Sequence, residues 1–250
     1  MRTDWDYTGL APYCDKKADY CDNAVVELLK RTGTKADCPI ADIGAGTGKL
    51  TRFLLAKGMT VRAVEPNAEM RQRGIENTLG KKVTWSEGAG EKTGLESHSV
   101  YLVALASVFN LTDRQKTLIE SARILQDGGW FACLGNDRDV EDPLQALVER
   151  TIQKVLPNYQ PETRKDDPTA LIEGCGLFGK VGCIESKGLQ HISVANYVEA
   201  WWQANPGLLR SAGELFPTVV DAIRERLAGL ESLQVPYLTR IWYAPLRKAS

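Results

Sequence analysis

The sequence predicts an α/β fold, a parallel sheet with helices as crossovers, and three observations carry that expectation. Short β-rich apolar runs recur as far as Leu134, stretches with apolar residues at i, i+3 and i+4 lie between them, and a glycine-rich turn follows the first run.

Taken in order, Asn23 to Arg31 has the helical period and Pro39 to Ile43 is the first strand. Leu50, Phe53 and Leu54 place a helix over Thr47 to Lys57, with Gly58 where it would end. Thr60 to Glu65 is the second strand, Pro66 keeps Glu65 extended, and Asn67 is a good cap for the next helix. Lys82 to Trp85 and Val100 to Leu105 follow as strands, then a helix over Asp113 to Leu125, a turn at Asp127-Gly128-Gly129 and a strand from Trp130 to Leu134. The rhythm then changes. Residues 136–180 are rich in proline and charge and read as an insertion with one helix, Leu144 to Leu156. Leu177 to Glu185 and Tyr237 to Tyr243 complete a count of seven strands, and Val194 to Leu230 is helical by period, with Trp201, Trp202 and Phe216 read as core.

A chain of 250 residues can bury a large core, and one domain with a cap is expected. Hydrophobic content of 43% and charged content of 25% are ordinary, and a net charge of -1 provides no field for recruiting phosphates, so nucleic acid is not the expected partner. The start of the chain has two acids and no apolar run, which predicts neither a signal peptide nor a membrane anchor. The six cysteines are scattered without the close pairs of zinc or redox motifs, as reduced thiols of a cytoplasmic protein would be, and no metal is expected.

The chemistry concentrates at Asp42-Ile43-Gly44-Ala45-Gly46-Thr47-Gly48, between the first strand and its helix. Glycines there let a ligand approach the backbone, and amides at the helix start face negative groups. A dinucleotide fingerprint counted from Gly44 needs a third glycine at position 49, which is Lys49. Glu65 stands roughly twenty residues further on, at the end of the second strand, where a carboxylate accepts from both ribose hydroxyls.

The loop resembles motif I of the class I S-adenosylmethionine-dependent methyltransferases. The resemblance implies that Asp42 lies near the methionine end of S-adenosyl-L-methionine, that Gly44, Ala45 and Gly46 pass under it, and that Met70, after Pro66, is an apolar contact to the adenosine. Gly88-Ala89-Gly90-Glu91 resembles the family's Gly-Asp-Ala-Glu step, with Ala89 where an acid often receives the adenine amino group. Ala122 to Gly129 resembles Arg-Val-Leu-Lys-Pro-Gly-Gly, with Gln126 and Asp127 in place of Lys-Pro, and Ala106 to Asn110 follows the fourth strand. Asp15 to Tyr20 resembles an Asp-x-Arg-Pro-x-Tyr element over the methionine carboxylate, with Lys17 for arginine.

By this resemblance the fold is a Rossmann-like three-layer sandwich whose seven-stranded mixed sheet ends in an antiparallel strand. Residues 1–36 form a lid, 37–135 the cofactor core, 136–180 a cap, and 181–250 the last strands and helices. The expected cofactor contacts are Asp42, Gly44, Ala45, Gly46, Glu65, Pro66, Met70, Ala89, Gly90, Glu91, Ala106 and Lys17. The expected acceptor is a small molecule, methylated by in-line displacement in which proximity and orientation supply most of the rate, in a monomer or homodimer without membrane or nucleic-acid partners. Tyr13 and Tyr20 are candidate lid residues near the methyl group, against ordinary packing. His191, after the sixth strand, is a candidate base, His98 reads as surface, and Asn110, where many relatives carry histidine, is a candidate orienting donor. Two rivals stand beside this reading: an NAD(P)-dependent oxidoreductase using the same Glu65, and a binding protein that retains S-adenosylmethionine or S-adenosylhomocysteine without transferring anything.

Overall fold

A computed structural model of the chain describes residues 9–139, 141–160 and 167–248. The stretch from Met1 to Tyr7 and part of the expected cap, residues 161–166, lie outside the described residues. In chain order the elements are α1 (Ala11–Cys14), α2 (Asp22–Thr32), β1 (Pro39–Ile43), α3 (Lys49–Ala56), β2 (Thr60–Val64), α4 (Ala68–Asn77), β3 (Val83–Ser86) and β4 (Val100–Ala106). A 3-10 turn (Phe109–Leu111), α5 (Arg114–Ile124), β5 (Leu125–Arg138), α6 (Pro143–Val155), α7 (Thr169–Gly174) and β6 (Gly182–Ser193) follow. Next come α8 (Val194–Tyr197), a π-helical turn (Val198–Gln203), α9 (Pro206–Ala212), α10 (Phe216–Arg226) and β7 (Ser232–Pro245).

The seven strands form one sheet in the order β3-β2-β1-β4-β5-β7-β6. Strands β1 to β5 pair in parallel, and β7 runs antiparallel to both β5 and β6. The mixed Rossmann-like sheet with its reversed last strand is therefore as expected. Both faces are covered, which is why β1 and β4 read as continuous apolar runs. One face packs on α2 and α3 through Leu28, Leu50 and Leu54. The other packs on α5 and α7 through Leu118, Ile124 and Ile172, with Phe131 between Phe109 and Phe178.

Local signals account for the helix ends. The Asn67 Oδ1 accepts from the Met70 amide at 3.0 Å to start α4, and Gly33 closes α2 with φ +66°. The Asp127-Gly128-Gly129 turn does not precede β5 but interrupts it. Val100 pairs with Leu125 and Leu102 with Trp130, so the intervening residues bulge out around Gly128 at φ +77°.

The largest departure from expectation is the β6–β7 hairpin. The strand expected over Leu177 to Glu185 begins only at Gly182 and continues to Ser193, with Phe178 making a single bridge to Leu246. The outer half of β6 alternates exposed and covered residues and has no apolar run. Pairing with β7 holds it in place instead. That outer half carries a third core, in which Val148 and Ile152 of α6 meet Tyr197, Trp202, Val219, Ile223, Leu233 and Val235. The layer over the sheet's carboxyl end thus draws on residues from 144 to 235, well beyond the 136–180 segment.

Candidate active site

The carboxyl ends of β1, β2 and β4 open into a cavity of about 500 Å³, covered by the N-terminal segment on one side and by the cap on another. This is where a parallel sheet places its ligands, because the strand order reverses beside β1.

Its floor is the turn between β1 and α3. Gly44, Gly46 and Gly48 have φ of +68°, +59° and +84°, a region that L side chains avoid. A Cβ on Gly44 would stand 2.8 Å from Val108, whereas one on Gly46 would meet only Met70, at 3.4 Å. The protein itself therefore excludes a side chain at 44, and backbone conformation is what demands glycine at 46. The amides of Gly44 and Ala45 donate to the Val64 carbonyl, which locks the turn against β2.

Glu65 is buried at the cavity wall. Its Oε2 accepts from the Gly46 amide and its Oε1 from the Asn67 amide, both at 2.9 Å. Burial pushes the Glu65 carboxyl above the usual carboxylate range, and these two backbone donors oppose the shift. Each oxygen keeps further acceptor capacity beside a surface lined by Pro66, Asn67 and Met70. Ala89, Gly90 and Glu91 line the same end. A Cβ on Gly90 would lie 2.9 Å from Thr117 Oγ1, and the Glu91 carboxylate accepts from the Asp113 amide at 2.6 Å.

The lid is the segment Cys14 to Tyr20, fastened from two sides. From below, Lys49 Nζ donates to the carbonyls of Asp15 (3.2 Å) and Lys17 (2.5 Å) and to Asp19 Oδ1 (2.9 Å), while Arg73 holds the Asp15 carboxylate at 3.0 Å. From above, Asn136 Nδ2 donates to the carbonyls of Ala18 and Asp19, Gln190 donates to the Lys16 carbonyl, and Lys16 pairs with Glu199. Inside, Tyr20 and Ser107 share a hydroxyl–hydroxyl bond of 3.0 Å. Ser107 has φ +63°, an uncommon conformation for a residue other than glycine, and it places this hydroxyl at the end of β4.

Of the expected residues, Gly44, Ala45, Gly46, Glu65, Pro66, Met70, Ala89, Gly90, Glu91, Ala106, Lys17 and Tyr20 line the cavity. Four do not. Asp42 is wholly buried beneath the loop, where Oδ2 accepts from Thr51 Oγ1 at 2.6 Å and Oδ1 has no partner among the described residues. Burial pushes its carboxyl up to about 7. Tyr13 sits on α1 beneath the Lys16 ammonium, outside the lining. Asn110 is exposed in the 3-10 turn and borders a separate shallow crevice. His191 does not follow β6 but lies within it, paired with Gln234 and exposed, because β6 runs eight residues past Glu185.

Lys49, Asn136, Ser107 and Trp201 line the cavity although sequence reading gave none of them a role there. Trp201, read as core, instead faces the cavity with its indole N–H on Gln190 Oε1 at 3.1 Å, while its neighbour Trp202 takes the core position. Lys49 carried one usable signal, a cation at the start of a helix where the dipole disfavours it.

A sequence profile described as a methyltransferase domain matches residues 41–133. The chain is 31% identical over 158 residues to an uncharacterized methyltransferase of Geobacillus thermodenitrificans, covering 62% of this chain and 73% of that one. It is 28% identical over 176 residues to the ubiquinone/menaquinone biosynthesis C-methyltransferase of Caulobacter vibrioides, covering 63% and 70%. The fold is shared with the phosphoethanolamine N-methyltransferase 2 of Haemonchus contortus, solved with phosphomonomethylethanolamine and S-adenosylhomocysteine. The TM-score is 0.57 at 15% identity, over 99% of this chain and 59% of that one.

Proposed function

This chain belongs to the class I S-adenosylmethionine-dependent methyltransferases, and on that premise we propose that its acceptor is a small molecule enclosed beneath the lid. The observation that carries the proposal is the roof. Residues 14–20 close over the cavity and are tied to α3, α4, β5, β6 and the π turn, so the acceptor shares a bounded space with the cofactor. A folded macromolecule would have to displace that whole segment. The activity that gives the Caulobacter relative its name is also the methylation of a small molecule.

The residues present fit S-adenosyl-L-methionine. The glycine turn brings bare backbone to the cavity wall, Glu65 offers acceptor capacity for two ribose hydroxyls, and Pro66, Met70, Ala89 and Val108 provide apolar surface for the adenine. Lys17 supplies a cation on the lid, where the resemblance places the methionine carboxylate. The cofactor, when bound, supplies an electrophilic methyl group. The chain's task is to hold the acceptor in line with it and to exclude water, and proximity provides most of the rate. Tyr20, Ser107, Asn136 and Trp201 surround the remaining space, and we assign the Tyr20–Ser107 hydroxyl pair to orienting the acceptor. His98 turns away from this space, with its Nδ1 3.1 Å from the Leu125 carbonyl oxygen.

The test is a fractionation. Purified protein and methyl-labelled S-adenosyl-L-methionine are incubated with a cell extract split by ultrafiltration into metabolites and macromolecules. Label appearing in the metabolite fraction is expected, and label confined to protein or nucleic acid would overturn the small-molecule reading.

A further inference from the structure

Residues 18–21 of the lid belong to no helix or strand, so the main-chain groups around Tyr20 are satisfied from other parts of the chain. Two side chains take three of them. Asn136 Nδ2 donates to the carbonyls of Ala18 (3.3 Å) and Asp19 (3.0 Å), just before Tyr20. Thr239 Oγ1 accepts from the Cys21 amide at 2.9 Å, just after it. The two side chains are joined in turn, because the Thr239 hydroxyl donates to Asn136 Oδ1 at 2.6 Å.

The sheet builds this bracket. Asn136 and Thr239 stand directly opposite one another on β5 and β7, and the antiparallel register brings their side chains together on one face. Thr239 is wholly buried, on the face of β7 that carries Ile241 and Tyr243 into the core. A hydroxyl in such a place needs partners, and this one uses both its capacities, giving its proton to Asn136 and accepting that of Cys21. Both amide protons of Asn136 are committed to the lid. Lys49 and Gln190 also fasten the lid, but their main-chain bonds fall earlier, on residues 15–17.

Ser107 is referenced to the same strand. Its amide donates to the Leu134 carbonyl at 2.7 Å, two residues before Asn136. Tyr20 and Ser107 are 87 residues apart in the chain, and their hydroxyls meet at 3.0 Å because each segment is keyed to neighbouring positions of β5.

We propose that Asn136 and Thr239 are positioning residues for the transfer reaction: they hold the main chain on either side of Tyr20 so that its hydroxyl meets Ser107 at the acceptor end of the cavity. The inference rests on the assignment of that hydroxyl pair to the acceptor, and it adds a residue, Thr239, that does not line the cavity. A Tyr20 hydroxyl displaced by about 1 Å would no longer align a nucleophile with the methyl group, a misplacement that can cost on the order of a hundredfold in rate.

Thr239→Val keeps the shape of the side chain and removes both of its hydrogen bonds, and Thr239→Ser restores them. The full chain labelled with 3-fluorotyrosine gives a fluorine NMR spectrum in which Tyr20 is identified by the signal missing from Tyr20→Phe. The Tyr20 signal should shift or broaden in Thr239→Val and return in Thr239→Ser. An unchanged Tyr20 signal in folded Thr239→Val would overturn the proposal, and should that variant not fold, the same measurement is made on Asn136→Ala, at a partly buried position. The kinetic arm uses the acceptor identified by fractionation. In Thr239→Val, kcat should fall by about tenfold or more while the KM for S-adenosyl-L-methionine stays within about twofold. In a Tyr20→Phe background the same substitution should leave kcat where it is, because the bracket acts through Tyr20. Equal losses in the two backgrounds would show a role in folding alone and sink the proposal. Unaltered kcat in Tyr20→Phe itself would remove the acceptor role on which the proposal rests, and the fluorine spectrum would still report whether the bracket holds Tyr20, so the two failures are told apart.

Discussion

Replacing Glu65 by Gln puts the cofactor cradle to its sharpest test. The carboxylate receives one backbone amide on each oxygen, and in the proposed complex it also receives two ribose hydroxyls. The amide side chain keeps one acceptor oxygen, turns the other position into a donor, and removes the charge. A hydrogen bond to a charged group contributes about 1.5–3 kcal/mol. One such bond lost outright and the other weakened give an expected loss of about 2–3 kcal/mol, a rise in Kd of roughly 30- to 150-fold. Isothermal titration calorimetry with S-adenosylhomocysteine measures it. The Gln amide also confronts the Gly46 or Asn67 N–H, so some stability is lost as well, and circular dichroism must first show that the variant remains folded. The wild-type affinity carries a pH signature, because burial raises the Glu65 carboxyl above the ordinary carboxylate range. Protonation therefore begins at a higher pH than for an exposed glutamate. Affinity should fall as pH drops through that raised value, and the Gln variant should show no such dependence. A folded Gln variant that binds within about twofold of wild type, a difference of only about 0.4 kcal/mol, would refute the assignment of Glu65 to the ribose.

Three further outcomes follow from the same geometry. Asp42→Asn should change cofactor affinity far less than Glu65→Gln, because Asp42 does not line the cavity, and calorimetry on the two variants compares them directly. Its folded carboxyl titrates at about 7, above its unfolded value, so the native state holds the extra proton and wild-type stability is lost as pH rises from the ordinary carboxylate range to about 7. The variant should remove about 3 kcal/mol of that slope between pH 5 and pH 8, read from chemical denaturation curves at the two values. Lys49→Met should release the lid and raise the S-adenosylhomocysteine off-rate by about tenfold, roughly 1.4 kcal/mol, in stopped-flow displacement. An unchanged off-rate would mean that the Asn136 and Gln190 bonds suffice. Gly74→Ala should destabilise the fold, since the new Cβ would lie 2.1 Å from the Trp85 ring that packs α4 onto β3. Overpacking of about 1–3 kcal/mol outweighs a helix-propensity gain of up to about 1 kcal/mol, so thermal melting should fall by a few degrees.

What the sequence by itself determined is the half of the molecule governed by short-range rules. Strands β1 to β4 and the helices between them declare themselves because burial on both faces, or along one stripe, repeats within a few residues. The glycine turn and Glu65 were legible for a similar reason: positive φ needs glycine, and a carboxylate at the end of β2 reaches the turn beside it whatever the rest of the chain does. Ser107 shows the limit of that rule, because it holds positive φ with a side chain that carries no such mark. Only the tertiary structure brought Ser107, Asn136 and Trp201 to the cavity beside Tyr20, because the four come from distant parts of the chain. No period relates such positions. Whether Trp201 or Trp202 faces the cavity depends on a π-helical turn that shifts the helical phase, and Lys49 finds its partners more than thirty residues upstream. The positions of His191 and Asn110, and the burial of Asp42, were not legible for the same reason. Each inferred position rested on where a strand stops or which way a side chain points, and those are settled by pairing with β7, by the turn after β4 and by burial under the loop, contacts between segments that the linear order does not record.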